Sequence, residues 1–157
     1  ALRPTAVVRM DFLHTDDSLF YDEQDATMAS CFPAAYISEP RLRIECYRKI
    51  ASIVETEEIM AYEEELRDRF GPIPNQTRAL FYETEIKCLS QEAGFDSISS
   101  KENELYCRVV KKNSRDCVKY LKKMGRIPLL NEKLPLLKLK EIIRFLKIHL
   151  HGIKDVS

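Results

Sequence analysis

Two carboxylates near the end of a predicted helix are the first groups that could do chemistry. Glu65 and Asp68 lie in the stretch EEELRDRFGPIP, residues 63–74, and their i, i+3 spacing places both side chains on one helix face. The negative end of the helix dipole disfavours acidic side chains at this position, so the pair needs either solvent or a cationic partner. Two interpretations follow: a solvated acidic face, or a docking site for arginines of another domain.

A stripe of basic side chains is the second candidate. Its members recur at intervals of four, three and four residues, which places them on one face of a predicted helix. They are Arg115, Lys119, Lys122 and Arg126. Such a stripe suits phosphate groups, and each contact would add to a salt-dependent affinity. Because Tyr120 alone offers a ring for base stacking, the stripe is either a solvated basic face or a phosphate-binding surface.

Residue types for catalysis or metal binding do not occur at informative spacing. No nucleophile, base and orienting group form a recognisable pattern, so we expect this chain to have no catalytic residues. Its three histidines and five cysteines include no C-x-x-C pair or similar ligand pattern, so we expect no metal site and reduced thiols. A phosphate-binding loop is excluded because all four glycines are predicted just past helices; they are Gly71, Gly94, Gly125 and Gly152.

The elements that must position these groups follow from the spacing of apolar residues. Helical spacing predicts a first helix from Pro40 and a second helix with Thr56 as its N-cap. Gly71 ends the second helix, and a third helix follows. After residue 94 the period falls to two, which predicts the strands FDSIS and LYCRVV with the turn SKEN between them. Ser114 begins a predicted fourth helix, and LPLLKL, residues 134–139, is either a strand or the start of the last helix.

The order of these elements predicts the fold class. Three helices come first, and a small, mostly antiparallel sheet with two further helices follows, which is an α+β fold. We expect residues 1–35 to form an N-terminal strand and an irregular linker. We expect residues 36–157 to form a single α+β domain.

Composition indicates a globular domain with an uneven charge distribution. The chain has 157 residues, of which 45% are hydrophobic and 32% are charged. No apolar run approaches the roughly 18 residues that a membrane span needs, and the start without Met suggests a piece of a longer protein. Residues 1–100 carry 10 basic and 19 acidic side chains, whereas residues 101–157 carry 15 basic and 6 acidic side chains. The two parts are therefore expected to meet different partners, or each other.

Two segments resemble the C-terminal domain of the bacterial transcription-repair coupling factor, the Mfd family. The first is YISEPRLRIECYRKIAS, and the second is EELRDRFGPIPNQTRAL, which follows the family pattern E-L-x-D-R-F-G-x-(L/I)-P. The match is best over about residues 30–95. The residues that carry it include Tyr36, Arg43, Tyr47, Glu65, Asp68, Arg69, Phe70, Gly71 and Pro74.

The resemblance implies that this chain is one part of a larger machine. Full-length members are ATP-driven DNA translocases of the bacterial cytoplasm that push stalled RNA polymerase and recruit the excision-repair protein UvrA. Their motor lies upstream, so the resemblance implies that ATP and Mg belong to the motor and that this chain holds no cofactor. In the resting enzyme the C-terminal domain contacts an N-terminal module that resembles UvrB, and it hides the surface that UvrA must reach.

The resemblance also assigns a role to the acidic pair. In the family these two acids meet arginines of the UvrB-like module, which favours the docking interpretation of Glu65 and Asp68. We therefore expect a non-catalytic, autoinhibitory interaction domain. The alternative is a nucleic-acid-binding module that uses the basic stripe and binds DNA weakly.

Overall fold

The computed structural model describes residues 5–15, 27–109, 130 and 132–156. In chain order, the elements within these ranges are β1 (Val7–Met10), β2 (Leu13–His14), β3 (Met28–Ala29), α1 (Pro40–Ala51), α2 (Thr56–Phe70), α3 (Asn75–Glu92), β4 (Phe95–Lys101), β5 (Glu104–Val109) and α4 (Pro135–Val156).

The larger of the two described sheets has the strand order β1–β4–β5. β1 is parallel to β4, with Val8 opposite Ile98, and β5 is antiparallel to β4, with Cys107 opposite Ile98. Glu102 and Asn103 form the turn between β4 and β5 at positive φ, 51° and 66°, as a two-residue hairpin turn requires. The hairpin therefore lies where the sequence predicted it. β2 and β3 form a separate parallel pair.

α3 is the central helix, because apolar clusters bury residues on both of its sides. Ile86 and Leu89 on one side join the β-strands and α4. Phe81 and Cys88 on the other side join α1 and α2. A helix that is apolar on both sides is typical of a buried position. We call α1, α2 and the adjoining side of α3 the helical half, and the larger sheet with α4 and the other side of α3 the sheet half.

α2 begins at Thr56, as predicted, but its N-cap is a different residue. Thr56 is the first helical residue and Glu55 occupies the N-cap position, so the prediction of Thr56 as N-cap is wrong. The carboxylate of Glu58 accepts a hydrogen bond from the backbone N–H of Glu55 at 3.1 Å. That contact satisfies a donor next to the first turn, which a threonine cap at residue 56 would leave unpaired.

The start of α4 shows whether residues 134–139 form a strand or the beginning of the last helix. The helix begins at Pro135, so this segment opens the last helix and is not a strand. Proline suits the first helical turn, and the buried Leu139, Ile142 and Leu146 continue one helical stripe. Gly152 lies inside α4, so the prediction that it follows a helix end is wrong.

The α+β fold class is confirmed, with three helices before the β4–β5 hairpin and α4 after it. The prediction of a mostly antiparallel sheet is wrong for the described strands, because β1 pairs parallel to β4 and β2 pairs parallel to β3, and only β4 and β5 are antiparallel. β1, from the predicted N-terminal strand, is part of the larger sheet. The division into residues 1–35 and 36–157 stays a prediction. Gly125 and the fourth helix predicted after Ser114 lie outside the described residues.

Candidate interdomain docking site

The acidic pair lies on the outer surface of α2. Glu65 and Asp68 are both exposed in the last turns of the helix, while Tyr62 and Leu66 are buried on its opposite side. Because Leu66 is fully buried, with 0% relative exposure, the rotation of the helix about its axis is fixed. The two carboxylates therefore face away from the core. They lie on the same side of α2, as the i, i+3 spacing predicted.

The end of α2 is fixed by backbone geometry and by one tyrosine. Gly71 has φ 92° and ψ −167°, a region that is essentially limited to glycine, and its N–H donates to the carbonyl oxygen of Arg67 at 3.0 Å. The hydroxyl of Tyr36 donates to the carbonyl oxygen of Gly71 at 2.9 Å, and the carbonyl oxygen of Leu66 lies 3.3 Å from it. Burial raises the pKa of Tyr36 against the opposing effect of Arg67, so the hydroxyl stays a neutral donor.

Aromatic contacts join the same helix end to the preceding loop. The rings of Tyr36 and Phe70 meet edge to face, with centroids 5.9 Å apart. The guanidinium of Arg69 lies over the ring of Phe70 at 4.9 Å from its centroid. Pro74 precedes α3 at its N-cap position. The motif residues Tyr36, Arg69, Phe70 and Gly71 are thus brought together, with Pro74 a few residues further along the chain.

Arg43 and Tyr47 of α1 hold the loop that carries Tyr36. Arg43 Nη1 donates to the carbonyl oxygens of Ile37 at 2.7 Å and Ser38 at 3.1 Å. The hydroxyl of Tyr47 accepts a hydrogen bond from the N–H of Phe32 at 2.9 Å. These contacts hold both ends of the loop that carries Tyr36.

The cations near the acidic pair are already engaged elsewhere. Arg67 lies 3.8 Å from a carboxylate oxygen of Glu63, and Arg78 of α3 forms an ion pair with the same carboxylate. Within the described part of the chain, Glu65 and Asp68 form no hydrogen bond or ion pair. Burial raises the pKa of Tyr62, and the negative charge of Glu65 adds to that effect. The pair therefore presents uncompensated negative charge at the helix end that disfavours it.

The remaining candidates can be placed only in part. The basic stripe Arg115, Lys119, Lys122 and Arg126 lies outside the described residues. In the ranges that are described, no group of His, Cys, Asp or Glu side chains could hold a metal ion, and no helix could cross a membrane. The described cysteines are free thiols, and burial raises the pKa of Cys88 to about 11 and that of Cys107 to about 12, which makes them poor nucleophiles.

Comparison with known proteins identifies the family. The TRCF domain model matches residues 27–120, which include all nine motif residues of the sequence analysis. The chain belongs to the TRCF domain family. The predicted resemblance to the coupling factor is thereby confirmed.

Relatives of this TRCF domain are full-length coupling factors. The transcription-repair-coupling factor of Mycobacterium bovis is 30% identical over 76 residues, covering 48% of this chain and 6% of that protein. The factor of Staphylococcus haemolyticus is 27% identical over 109 residues, covering 66% and 9%, and that of Bacillus subtilis is 26% identical over 84 residues, covering 54% and 7%. The chain thus spans less than a tenth of the length of these relatives.

A solved structure supports the fold of the TRCF domain. The crystal structure of the C-terminal domain of a transcription-repair coupling factor superposes with a TM-score of 0.58 at 20% identity. The superposition covers 94% of this chain and 98% of that domain. At this identity the likeness concerns the fold alone.

Sequence reasoning found the acidic pair but missed the contacts that hold it. The link from Tyr36 to Gly71 spans 35 residues, and the ion pair between Arg78 and Glu63 spans 15. Neither follows from local spacing. The family pattern contains Tyr36 and Gly71 in separate segments, and that was the one available signal that they belong together.

Proposed function

We propose that this chain is a non-catalytic, autoinhibitory interaction domain of a transcription-coupled DNA repair factor. It docks through Glu65 and Asp68 on arginines of the N-terminal UvrB-like module of the same protein and masks the surface that UvrA binds. The observation that carries the proposal is an exposed carboxylate pair with no partner in the described residues, on a helix end that is held in place. The wider assignment rests on the relatives, which are transcription-repair-coupling factors.

The helix end favours docking because it is preorganised. Gly71 and Tyr36 fix where α2 stops, so Glu65 and Asp68 lose little backbone freedom when a partner binds. Lower ordering cost is a general source of affinity. The acids therefore present a constant spacing to the partner before contact.

The energy of such a contact suits a reversible latch. An exposed ion pair contributes about 0–1 kcal/mol, whereas a hydrogen bond to a charged group that is shielded from water contributes about 1.5–3 kcal/mol. Arginine can contact a carboxylate through two parallel hydrogen bonds, which adds selectivity. Coupling of about 1–3 kcal/mol is typical of allosteric switches, so a modest opposing interaction is enough to release the domain.

Catalysis, nucleotide binding and movement along DNA belong, in this proposal, to upstream parts of the full-length protein. ATP and Mg are cofactors of that motor, and RNA polymerase and UvrA are partners of the assembled factor in the bacterial cytoplasm. This chain contributes the docking contact that keeps the UvrB-like module covered. Its release makes the UvrB-like module available to UvrA.

Binding of this chain to the isolated UvrB-like module tests the proposal. Calorimetry would compare the wild type with Glu65→Gln/Asp68→Asn and with Glu65→Arg/Asp68→Arg. Loss of a shielded charge pair costs about 2–5 kcal/mol, so we expect the neutral variant to bind at least about tenfold more weakly. The reversed variant adds repulsion and should bind more weakly still.

A matched control separates contact from net charge. Glu39→Arg/Glu45→Arg changes the net charge by the same amount at two exposed positions of the helical half. It should bind as the wild type does. Equal losses in both reversed variants would mean that overall charge, and not the pair on α2, drives binding.

The basic-stripe alternative becomes an outcome of the same experiment. If no variant binds the module, and the chain instead binds DNA with an affinity that falls steeply with salt, the nucleic-acid-binding function is correct. Neutralising Lys119 and Lys122 should then reduce the salt slope.

A further inference from the structure

The outer face of the larger sheet carries a polar groove. α3 and α4 cover the opposite face, where Ile98 and Leu105 are fully buried. On the outer face the register places Ser97 between Val7 and Arg108, and Ser99 between Arg9 and Tyr106. Because the two central side chains are small, a groove of about 310 Å³ remains above them. We call it the sheet groove, and it is lined by Val7, Arg9, Ser97, Ser99 and Arg108.

The sheet groove suits an anion. Neighbouring strands are about 4.8 Å apart, so Arg9 on β1 and Arg108 on β5 lie on either side of the serine floor, within reach of one group between them. Arg9 forms no ion pair with another described residue. Arg108 lies 3.6 Å from Asp96, in a contact whose two side chains are 75% and 38% exposed. Such an exposed contact is weak, so Arg108 remains available to a better partner.

A second cavity has a volume of about 600 Å³. Arg9 and Ser99 line both this cavity and the sheet groove. We call it the polar cavity; its polar lining includes His14, Ser30, Glu83 and Lys101, and its apolar lining includes Met10 and Leu13. A volume of 300–1,000 Å³ is usual for sites that hold small organic ligands.

The polar cavity offers several hydrogen-bonding side chains. The carboxylate of Glu83 accepts a hydrogen bond from the hydroxyl of Ser30, and burial raises the pKa of Glu83. Asp11 also lines the cavity, but its carboxylate accepts hydrogen bonds from the hydroxyl of Ser100 at 2.7 Å and the N–H of Glu102 at 3.0 Å. His14 Nδ1 is buried without a hydrogen-bond partner among the described residues. Imidazole, carboxyl and hydroxyl groups beside apolar walls match the edge and faces of a nucleobase.

We propose that the two spaces together bind a nucleotide. Its phosphate lies in the sheet groove between the two arginines, and its base enters the polar cavity. The nucleotide comes either from solution or from an unpaired position in a nucleic-acid strand, since both present the same phosphate and base.

The ¹H–¹⁵N correlation spectrum of the ¹⁵N-labelled 157-residue chain tests this inference. Four probes would be titrated at millimolar concentration: adenosine 5′-monophosphate, adenosine, inorganic phosphate and a short single-stranded DNA. A nucleotide site requires that a probe with both phosphate and base shifts the amides of Ser97 and Ser99 together with those of His14 and Ser30. Shifts from the monophosphate identify a free nucleotide, whereas shifts from the DNA alone identify a nucleotide within a strand.

Two further patterns would overturn the inference. If inorganic phosphate matches the monophosphate and the amides of the polar cavity do not move, the groove is an anion site without base recognition. If none of the four probes causes shifts on the sheet face, the site does not exist.

Substitutions test whether the nucleotide binds on the sheet and not on α2. Arg9→Gln removes one charge-assisted contact and should weaken binding about tenfold, and Ser99→Glu should abolish it by placing a carboxylate at a residue that lines both spaces. Arg41→Gln, on the exposed side of α1, is the matched control and should bind normally. Glu65→Arg/Asp68→Arg should also bind normally, which keeps this inference separate from the proposed docking function. Unchanged binding by both Arg9→Gln and Ser99→Glu would contradict the assignment.

Discussion

Glu65 and Asp68 lie in the last turns of α2, a helix whose C-terminus is fixed by Gly71 and by the hydroxyl of Tyr36. On the outer face of the sheet, Arg9 and Arg108 stand on different strands with two serines between them. The first surface presents an exposed pair of like charges on a fixed helix end. The second leaves an open space between its charges. A rigid, protruding pair of charges suits recognition of a protein surface, whereas a recessed floor between cations suits a small anionic group.

The largest expected effect in the helical half comes from Gly71. In Gly71→Ala the added methyl meets no atom within 4 Å, so the cost arises from the backbone conformation at φ 92°. We expect a loss of about 1–3 kcal/mol in the free energy of unfolding, measured by urea denaturation. Ser38→Ala, at a nearby exposed position, should change it by less than about 0.5 kcal/mol. Equal stability of Gly71→Ala and wild type would mean that the end of α2 can adopt another conformation.

Two tyrosine-to-phenylalanine substitutions compare how much the stability of each region depends on a tyrosine hydroxyl. Tyr36→Phe removes the hydrogen bond to the carbonyl oxygen of Gly71 and should cost about 0.5–1.5 kcal/mol. Tyr106→Phe removes a hydrogen bond from an exposed ring to Glu104, 2.8 Å long, and should leave the stability nearly unchanged because water replaces the lost partner. Thermal unfolding of both variants measures the difference. A larger loss for Tyr106→Phe would show that the sheet face, and not the helix end, depends on its tyrosine.

The smallest expected effect is the pH dependence of stability that His149 of the sheet half causes. His149 is fully buried and stacks on Phe95, with ring centroids 5.3 Å apart, and burial lowers its pKa from 6.5. Below pH 6.5 the unfolded chain therefore binds more protons than the folded chain, so stability falls as the pH is lowered through 6.5 toward the folded pKa. The slope should stay below about 1.4 kcal/mol per pH unit.

The variant His149→Leu isolates this contribution. Urea unfolding between pH 7.5 and pH 5, values chosen to bracket the usual histidine pKa of about 6.5, should show a weaker pH dependence in the variant than in the wild type. The exposed His151 serves as control, and His151→Gln should retain the wild-type dependence. If His149→Leu and wild type lose stability in parallel, other groups cause the acid sensitivity.

Much of the helical half could be predicted because its information is local. The stripe Ile59, Tyr62 and Leu66 and the spacing of Glu65 and Asp68 all follow from one helical period. Contacts across the chain could not be predicted in this way, and the bond from Tyr36 to Gly71 is the clearest case. The error at Thr56 is of another kind, because the capping contact joins Glu55 and Glu58, which are only three residues apart.

The sheet half was less accessible to sequence reasoning. The two strands of the hairpin were predicted from their alternation, but Arg9, Ser99 and Tyr106 form one row only because β1 and β5 both pair with β4. Pairing between strands so far apart in sequence depends on the whole fold and leaves no local pattern. Residues 134–139 allowed two interpretations for a related reason, because a short apolar run fits a strand as well as a buried helix.

Direct contact between the acidic pair and the arginines of the UvrB-like module can be tested by exchanging the charges of the two surfaces. The arginines of the UvrB-like module that face the domain would be changed to glutamate, and binding of this chain and its Glu65→Arg/Asp68→Arg variant would be measured by calorimetry. Direct contact predicts that each change alone weakens binding and that the two together restore most of it. If the combined changes bind no better than the weaker single one, Glu65 and Asp68 do not contact those arginines, and the domain docks through another surface.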